Sequence, residues 1–104
     1  MDRGTGNETE YGLERDLEGA CGRVAKTAGW FHRKYKGPGR RSHPDRLFAR
    51  GGLVFWVEFK RRGEQPTELQ WLEICAMRAA GLDVYWTDNR YEFENILASY
   101  AGPA

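Results

Sequence analysis

Apolar residues recur at helical spacing at Leu13, Leu17, Ala20, Cys21, Val24 and Ala28, which predicts a first helix that Gly29 stops. Glu14 and Glu18, four apart, share a stripe about 100° round from that of Leu13 and Leu17, so both border the buried face. Trp30 to Tyr35 reads as a first strand before the Lys36-Gly37-Pro38-Gly39 turn signal. Asp45 to Ala49 reads as a second strand, opened by Asp45 and turned back at Gly51-Gly52. Leu53 to Val57 is apolar on both faces, as in the centre of a covered sheet. Its period of two sends Val54, Trp56, Glu58 and Lys60 one way and Leu53, Phe55, Val57 and Phe59 the other.

A second helix follows, with Thr67 as N-cap, an apolar stripe of Leu69, Leu72, Cys75, Ala76 and Ala79, and Gly81 at its end. Leu82 to Thr87 predicts a further strand, Asp88-Asn89 a turn, and Phe93, Ile96, Leu97 and Tyr100 a last helix. The order αβββαβα predicts an α/β fold, a mixed central sheet flanked by helices. Residues 1–10 are polar, glycine-rich and without period, and read as a flexible N-terminal tail; 11–101 form one domain, the size that 104 residues support.

Composition narrows the classes. With 40% hydrophobic and 30% charged residues, the chain suits a globular domain and not a disordered one. Its longest apolar run, Leu53 to Val57, is far short of the roughly 20 residues that span a bilayer, and the N-terminus lacks a signal pattern, so no membrane partner is expected and the cytoplasm is the default location. Cys21 and Cys75 are single, widely spaced and within helical apolar patterns, which predicts two buried free thiols.

The net charge of +1 conceals an asymmetry: acids crowd into the first eighteen residues, bases between Arg33 and Arg62. Arg33, Lys34, Lys36, Arg40, Arg41, Arg46 and Arg50 stand against the lone acid Asp45, interleaved with Tyr35 and Phe48. That pattern suits either a phosphate-contacting surface or a solvated loop. The chemistry beside it favours phosphate. Asp45 and, thirteen residues on, Glu58-Phe59-Lys60 put two acids and a lysine at the ends of paired strands. Phosphodiester hydrolysis needs a hard cation, and Mg²⁺ or Mn²⁺ takes oxygen ligands from one or two carboxylates. Asp45 and Glu58 suit that role, the Phe59 carbonyl offers a further oxygen, and Lys60, on the Glu58 face, can orient water or stabilise transition-state charge. No organic cofactor is suggested.

Pro44-Asp45 with Glu58-Phe59-Lys60 resembles the signature of the PD-(D/E)xK nuclease superfamily, and the αβββαβ order is similar to its restriction-endonuclease-like core, here with an extra C-terminal helix. Within it, residues Leu13 to Leu97 resemble the VRR-Nuc family, particularly small stand-alone viral and bacterial members. The features are a helix-one glutamate, a Gly-containing loop before Pro44-Asp45-Arg46, the Val57-Glu58-Phe59-Lys60 strand, and Thr67, Gln70 and Gly81. Ser42-His43 departs from the pattern, which usually has a glycine two residues before the proline.

The resemblance implies a metal-dependent DNA nuclease, an endonuclease acting on branched DNA such as four-way junctions or flaps, in the host cytoplasm if the chain is viral. It implies a third acid from helix one: Glu18 by the separation from Gly29, with Glu14 as the alternative. Both acids also suit a helix-dipole role. Gln70 is implied at the metal-bound water or the DNA, while Thr67-x-x-Gln70 is equally a capping box. His43 reads as a bystander. Arg33, Lys34, Lys36, Arg40, Arg41, Arg46 and Arg61 are the expected phosphate contacts. One small domain holds one active site, so symmetric cleavage of two strands predicts a homodimer. The alternative reading is a non-catalytic DNA-binding module or an accessory to a helicase or nuclease complex, for which the intact acid, acid, lysine set has no use.

Overall fold

A computed structural model describes residues 14–35 and 43–100. The elements run α1 (Glu14–Thr27), β1 (Phe31–Lys34), β2 (Arg46–Arg50), β3 (Leu53–Phe59), α2 (Glu68–Ala79), β4 (Asp83–Thr87) and α3 (Arg90–Ser99). This is the expected order. The strands form one sheet, β1-β2-β3-β4, in which the β1-β2 and β2-β3 pairs are antiparallel and the β3-β4 pair is parallel. Gly51 and Gly52, at φ 59° and 87°, close the β2-β3 hairpin in the positive-φ conformation that a tight turn between right-twisted strands requires. The parallel step needs a crossover, and α2 supplies it.

The two sheet faces have different fates. Phe48 stands opposite Phe55 and, with Val57 and Phe59, forms a fully buried surface. Leu17, Cys21 and Ala25 of α1 and Phe93 and Leu97 of α3 cover it. Trp30 closes one end, edge-on to Phe55 at 5.2 Å. Trp56 and Val84 are neighbours on the other face, where α2 packs by Ile74, 1% exposed. Arg78 fixes the helix by donating from Nε and Nη2 to the Val84 carbonyl at 3.0 and 2.7 Å.

Helix α2 buries a different side from the one its sequence suggests. Leu69 and Leu72 are 68% and 61% exposed, and Cys75, Ala76 and Ala79 lie out with them. The inward side carries Ile74 with half-buried Gln70, Glu73 and Met77. An amphipathic pattern fixes which residues share a side, but the crossover onto β4 and the polar anchors of Gln70 decide which side is turned in. Cys75 is therefore exposed, a correction to the expected pair of buried thiols. Cys21 is buried, which pushes its thiol up to about 12. The N-cap prediction holds in full: Thr67 Oγ1 accepts from Gln70 N–H, and Gln70 Oε1 accepts from Thr67 N–H. Among the described residues no helix is long and apolar enough to cross a membrane.

Candidate active site

The β2-β3 hairpin brings the two acids of the motif together. Arg46 pairs with Val57, and the ladder continues one step, with Asp45 N–H donating to the Val57 carbonyl at 3.1 Å. Asp45 therefore stands beside Glu58, just ahead of the strand it was expected to open. Phe59 N–H donates to Asp45 Oδ2 at 2.8 Å and fixes that carboxylate. Helix α1 reaches this end of the sheet with its first residue. Oxygens of Glu14, Asp45 and Glu58 lie within 4.8 Å of one another.

Three carboxylates so close repel, and burial removes the water that would screen them. Glu58, 2% exposed, is pushed up to about 8 by its burial and then by Asp45, against the pull of Lys60. Asp45 rises to about 6, chiefly through burial, although the Phe59 N–H opposes the shift. Glu14 is raised by burial as well. Glu58 Oε2 accepts from Gln70 Nε2 at 2.9 Å and lies 3.9 Å from Lys60 Nζ, whereas Oε1 is buried with no hydrogen-bond partner among the described residues. An orphaned carboxylate oxygen beside two further acids is a donor set that fits a hard divalent cation.

Lys60 donates to Gln70 Oε1 at 3.1 Å, and the same oxygen accepts from Thr67 N–H. Gln70 therefore combines both sequence readings: it caps α2 and holds the Glu58 and Lys60 side chains. Burying a lysine at 8% exposure needs such partners.

Glu18 does not join the acid cluster. Its carboxylate, 3% exposed, accepts from Arg46 Nε at 2.9 Å and lies 3.5 Å from Lys34 Nζ. The alternative acid, Glu14, occupies the position expected of Glu18, because it stands one helical turn nearer the strand ends. The same contact holds Arg46, one of the expected phosphate contacts. Its half-buried side chain is bound to Glu18 and, through Nη1, to Nδ1 of His32 at 2.9 Å, which makes that nitrogen an acceptor. Burial and the Arg46 charge lower the His32 pKa in accord.

Of the other expected phosphate contacts, Arg33 and Arg61 are exposed and Lys34 is divided between solvent and Glu18. Arg33 lies over the Phe31 ring at 4.2 Å. Lys36, Arg40 and Arg41 lie outside the described residues. His43 is half-buried, its Nδ1 3.0 Å from the Pro44 carbonyl. Sequence reasoning missed the Arg46 clamp and the role of His32. The Tyr35 ring, read in the sequence only as an aromatic interleaved with the basic residues, stands 5.5 Å from Trp56 beside this end of the sheet.

No family model matches the chain. Over 58 residues it is 41% identical to the protein described as "Putative nuclease p44" from Acyrthosiphon pisum secondary endosymbiont phage 1, a match over 55% of this chain and 62% of that protein. The chain thus spans under two thirds of that relative's length. Among solved structures, one described as a "VRR_NUC domain" superposes with a TM-score of 0.75 at 22% identity, covering 84% of this chain and 96% of that one. The fold is that of a VRR_NUC domain, the restriction-endonuclease-like architecture that the sequence led us to expect.

Proposed function

We propose that the chain is a divalent-metal-dependent nuclease that hydrolyses DNA phosphodiester bonds. The observation that carries the reading is the cluster of Glu14, Asp45 and buried Glu58 within 4.8 Å, one Glu58 oxygen unpaired among the described residues and Lys60 beside it. The VRR_NUC fold and the relative described as a nuclease support it. Asp45, Glu58, Glu14 and the Phe59 carbonyl would hold Mg²⁺ or Mn²⁺. Such a cation, when bound, neutralises phosphate charge and acidifies a water for attack.

Lys60 places its ammonium where negative charge builds on the phosphoryl oxygens as the water attacks phosphorus and the leaving oxygen departs. Gln70 keeps Lys60 from collapsing fully onto Glu58, since its Oε1 takes one ammonium hydrogen and its Nε2 occupies Glu58 Oε2. Arg33, Arg61 and Lys34 contact phosphates along the exposed rim, with Lys36, Arg40 and Arg41 as further candidates in the basic segment. Such contacts position a duplex without reading its bases, so recognition is by shape, with branched DNA such as a four-way junction or flap the preferred substrate. Two copies related by a two-fold axis would serve two strands, and the setting would be a phage-infected cytoplasm.

The test is cleavage of labelled single-stranded, duplex, flap and four-way-junction DNA in Mg²⁺, Mn²⁺ or EDTA, with Lys60→Ala run beside the wild type. Cutting that needs both metal and Lys60 is expected. DNA bound but intact in every metal would overturn the reading in favour of a non-catalytic binding module.

A further inference from the structure

The sheet face that carries Glu58 is covered over only part of its width. Strand pairing puts Phe31 and Arg33 of β1, Tyr35 just past its end, and Val54, Trp56 and Glu58 of β3 on one side. On that side α2 packs over β4. Towards β1 the face is open, with Phe31 48%, Tyr35 45% and Val54 43% exposed. The solvent side of an antiparallel pair is ordinarily polar, so the core does not account for rings left there.

Two of the rings adjoin the acid site. Tyr35 N–H donates to the Asp45 carbonyl at 2.9 Å, which extends the β1-β2 ladder by one step. Tyr35 therefore stands in the same cross-strand row as Asp45 and Glu58. Trp56, half-buried, lies two residues before Glu58 on the same side of β3, about 6.6 Å along the strand. Its ring centroid is 5.5 Å from that of Tyr35, with the planes 52° apart. The two rings already touch, so Trp56 braces Tyr35 and the outer surface of Tyr35 is what remains for a ligand. Two residues back, exposed Arg33 lays its guanidinium over Phe31 at 4.2 Å. Beyond the acids at the site end, Arg33 is the one charged side chain on this side of the described strands.

Rings grouped about a single cation suit a ligand that is both aromatic and anionic, as a nucleotide is. A base inside a duplex has a neighbour on each face, so a ring on the protein surface can stack only on an unpaired or terminal base. Spacing agrees. Tyr35, Arg33 and Phe31 repeat at about 6.6 Å, against about 3.4 Å per nucleotide in a stacked duplex strand, so the row matches a strand drawn out of its stack. A second copy of the chain fits less well, because it would bury Arg33 with no acid on the open face to receive it. We propose that Tyr35, braced by Trp56, stacks the unpaired base beside the phosphodiester bond at the acid site, and that Arg33 holds the adjoining phosphate. The bond is assigned by the nuclease reading, on which this inference rests; the stack narrows the substrate to DNA with an unpaired nucleotide at the cut.

The experiment titrates the full chain in EDTA, where no cutting competes, into a short labelled oligothymidylate and into an abasic oligomer of equal length and charge, read by fluorescence anisotropy. The wild type should bind the oligothymidylate about tenfold more tightly, the contribution expected of one stacked base. Tyr35→Ala should erase the preference, and Tyr35→Phe, which keeps the ring, should retain it. Arg33→Ala should weaken both probes alike and reduce the salt dependence. Equal binding of the two probes by the wild type, or a preference that survives Tyr35→Ala, would overturn the proposal. Loss of self-association in Tyr35→Ala, with the base preference intact, would also overturn it and give the face to a second copy. Cutting is measured separately in Mn²⁺, on flaps whose unpaired nucleotide at the junction is either normal or abasic. A chain that prefers bases but never cuts would overturn the nuclease reading and leave the base site standing. A chain that cuts both flaps equally would overturn the stack beside the bond and leave the nuclease reading intact.

Discussion

Replacing Arg46 by Met removes the guanidinium and keeps most of the aliphatic stem, leaving Glu18 buried with only Lys34, at 3.5 Å and with a side chain 41% exposed. The Arg46 side chain is 17% and that of Glu18 4% exposed, so solvent screens the pair little. Breaking a buried pair from one side costs about 3–5 kcal/mol. Lys34 partly replaces the lost charge, which brings the expected loss to about 2–3 kcal/mol. For a domain of this size that lowers the melting temperature by roughly 10–20 °C. Glu18→Gln with Arg46→Met should lose less than the sum of the single changes, with a coupling of at least about 1 kcal/mol in a double-mutant cycle by urea unfolding. The clamp also sets α1 on the sheet so that Glu14, one turn before Glu18, meets Asp45 and Glu58. Arg46→Met should therefore weaken Mn²⁺ binding by calorimetry about tenfold, as loss of a supporting contact typically does, without changing the slope of DNA affinity against salt. Stability within 0.5 kcal/mol of wild type, or a salt slope reduced by about one unit, would refute the clamp and return Arg46 to the phosphate-binding set.

Glu58 is raised from an ordinary carboxylate value to about 8, so folding holds its proton more tightly than the unfolded chain does. In EDTA that contribution is complete below about pH 4.5 and is lost as pH rises through about 8; the melting temperature should fall across this window, and Glu58→Gln should flatten the fall. Failure of Glu58→Gln to change the pH profile would show that the carboxylate is not the strained group. Glu14→Gln and Asp45→Asn should each abolish measurable Mn²⁺ binding while the circular dichroism spectrum persists; unchanged affinity in Glu14→Gln would return the third-ligand role to Glu18. Gln70→Ala removes a capping contact and the bridge between Lys60 and Glu58, and should cost about 1–2 kcal/mol by urea unfolding as well as metal affinity. A loss confined to stability would make it a cap only.

The strand carrying Glu58 and Lys60 and the Gly51-Gly52 turn were legible because a period of two and a glycine pair have few alternative readings. The capping box at Thr67 and Gln70 was legible for the same reason: it is closed within four residues. The third acid was not. Glu14 and Glu18 sit one turn apart on one stripe, and only the distance of each from the strand ends separates them. The Arg46 clamp was not legible, because a basic residue in a basic stretch looks solvated until α1 is seen to place a buried glutamate against it. The buried side of α2 was misread because Leu69, Leu72, Cys75, Ala76 and Ala79 make the better apolar stripe, yet the helix needs Gln70 at the acid site, and that requirement turns the stripe outward.

The sequence by itself determined the element order, the hairpin that pairs Asp45 with Glu58, the face shared by Glu58 and Lys60, and the cap of α2, since each depends on backbone periodicity or on residues close along the chain. Only the tertiary structure decided that Glu14 completes the cluster, that Glu18 and Arg46 lock α1 to β2, and that a leucine face of α2 is left in solvent. Those outcomes depend on how far apart packed elements stand and how each helix is rotated about its axis. Packing sets both through contacts between residues distant in the chain, which local periodicity does not encode.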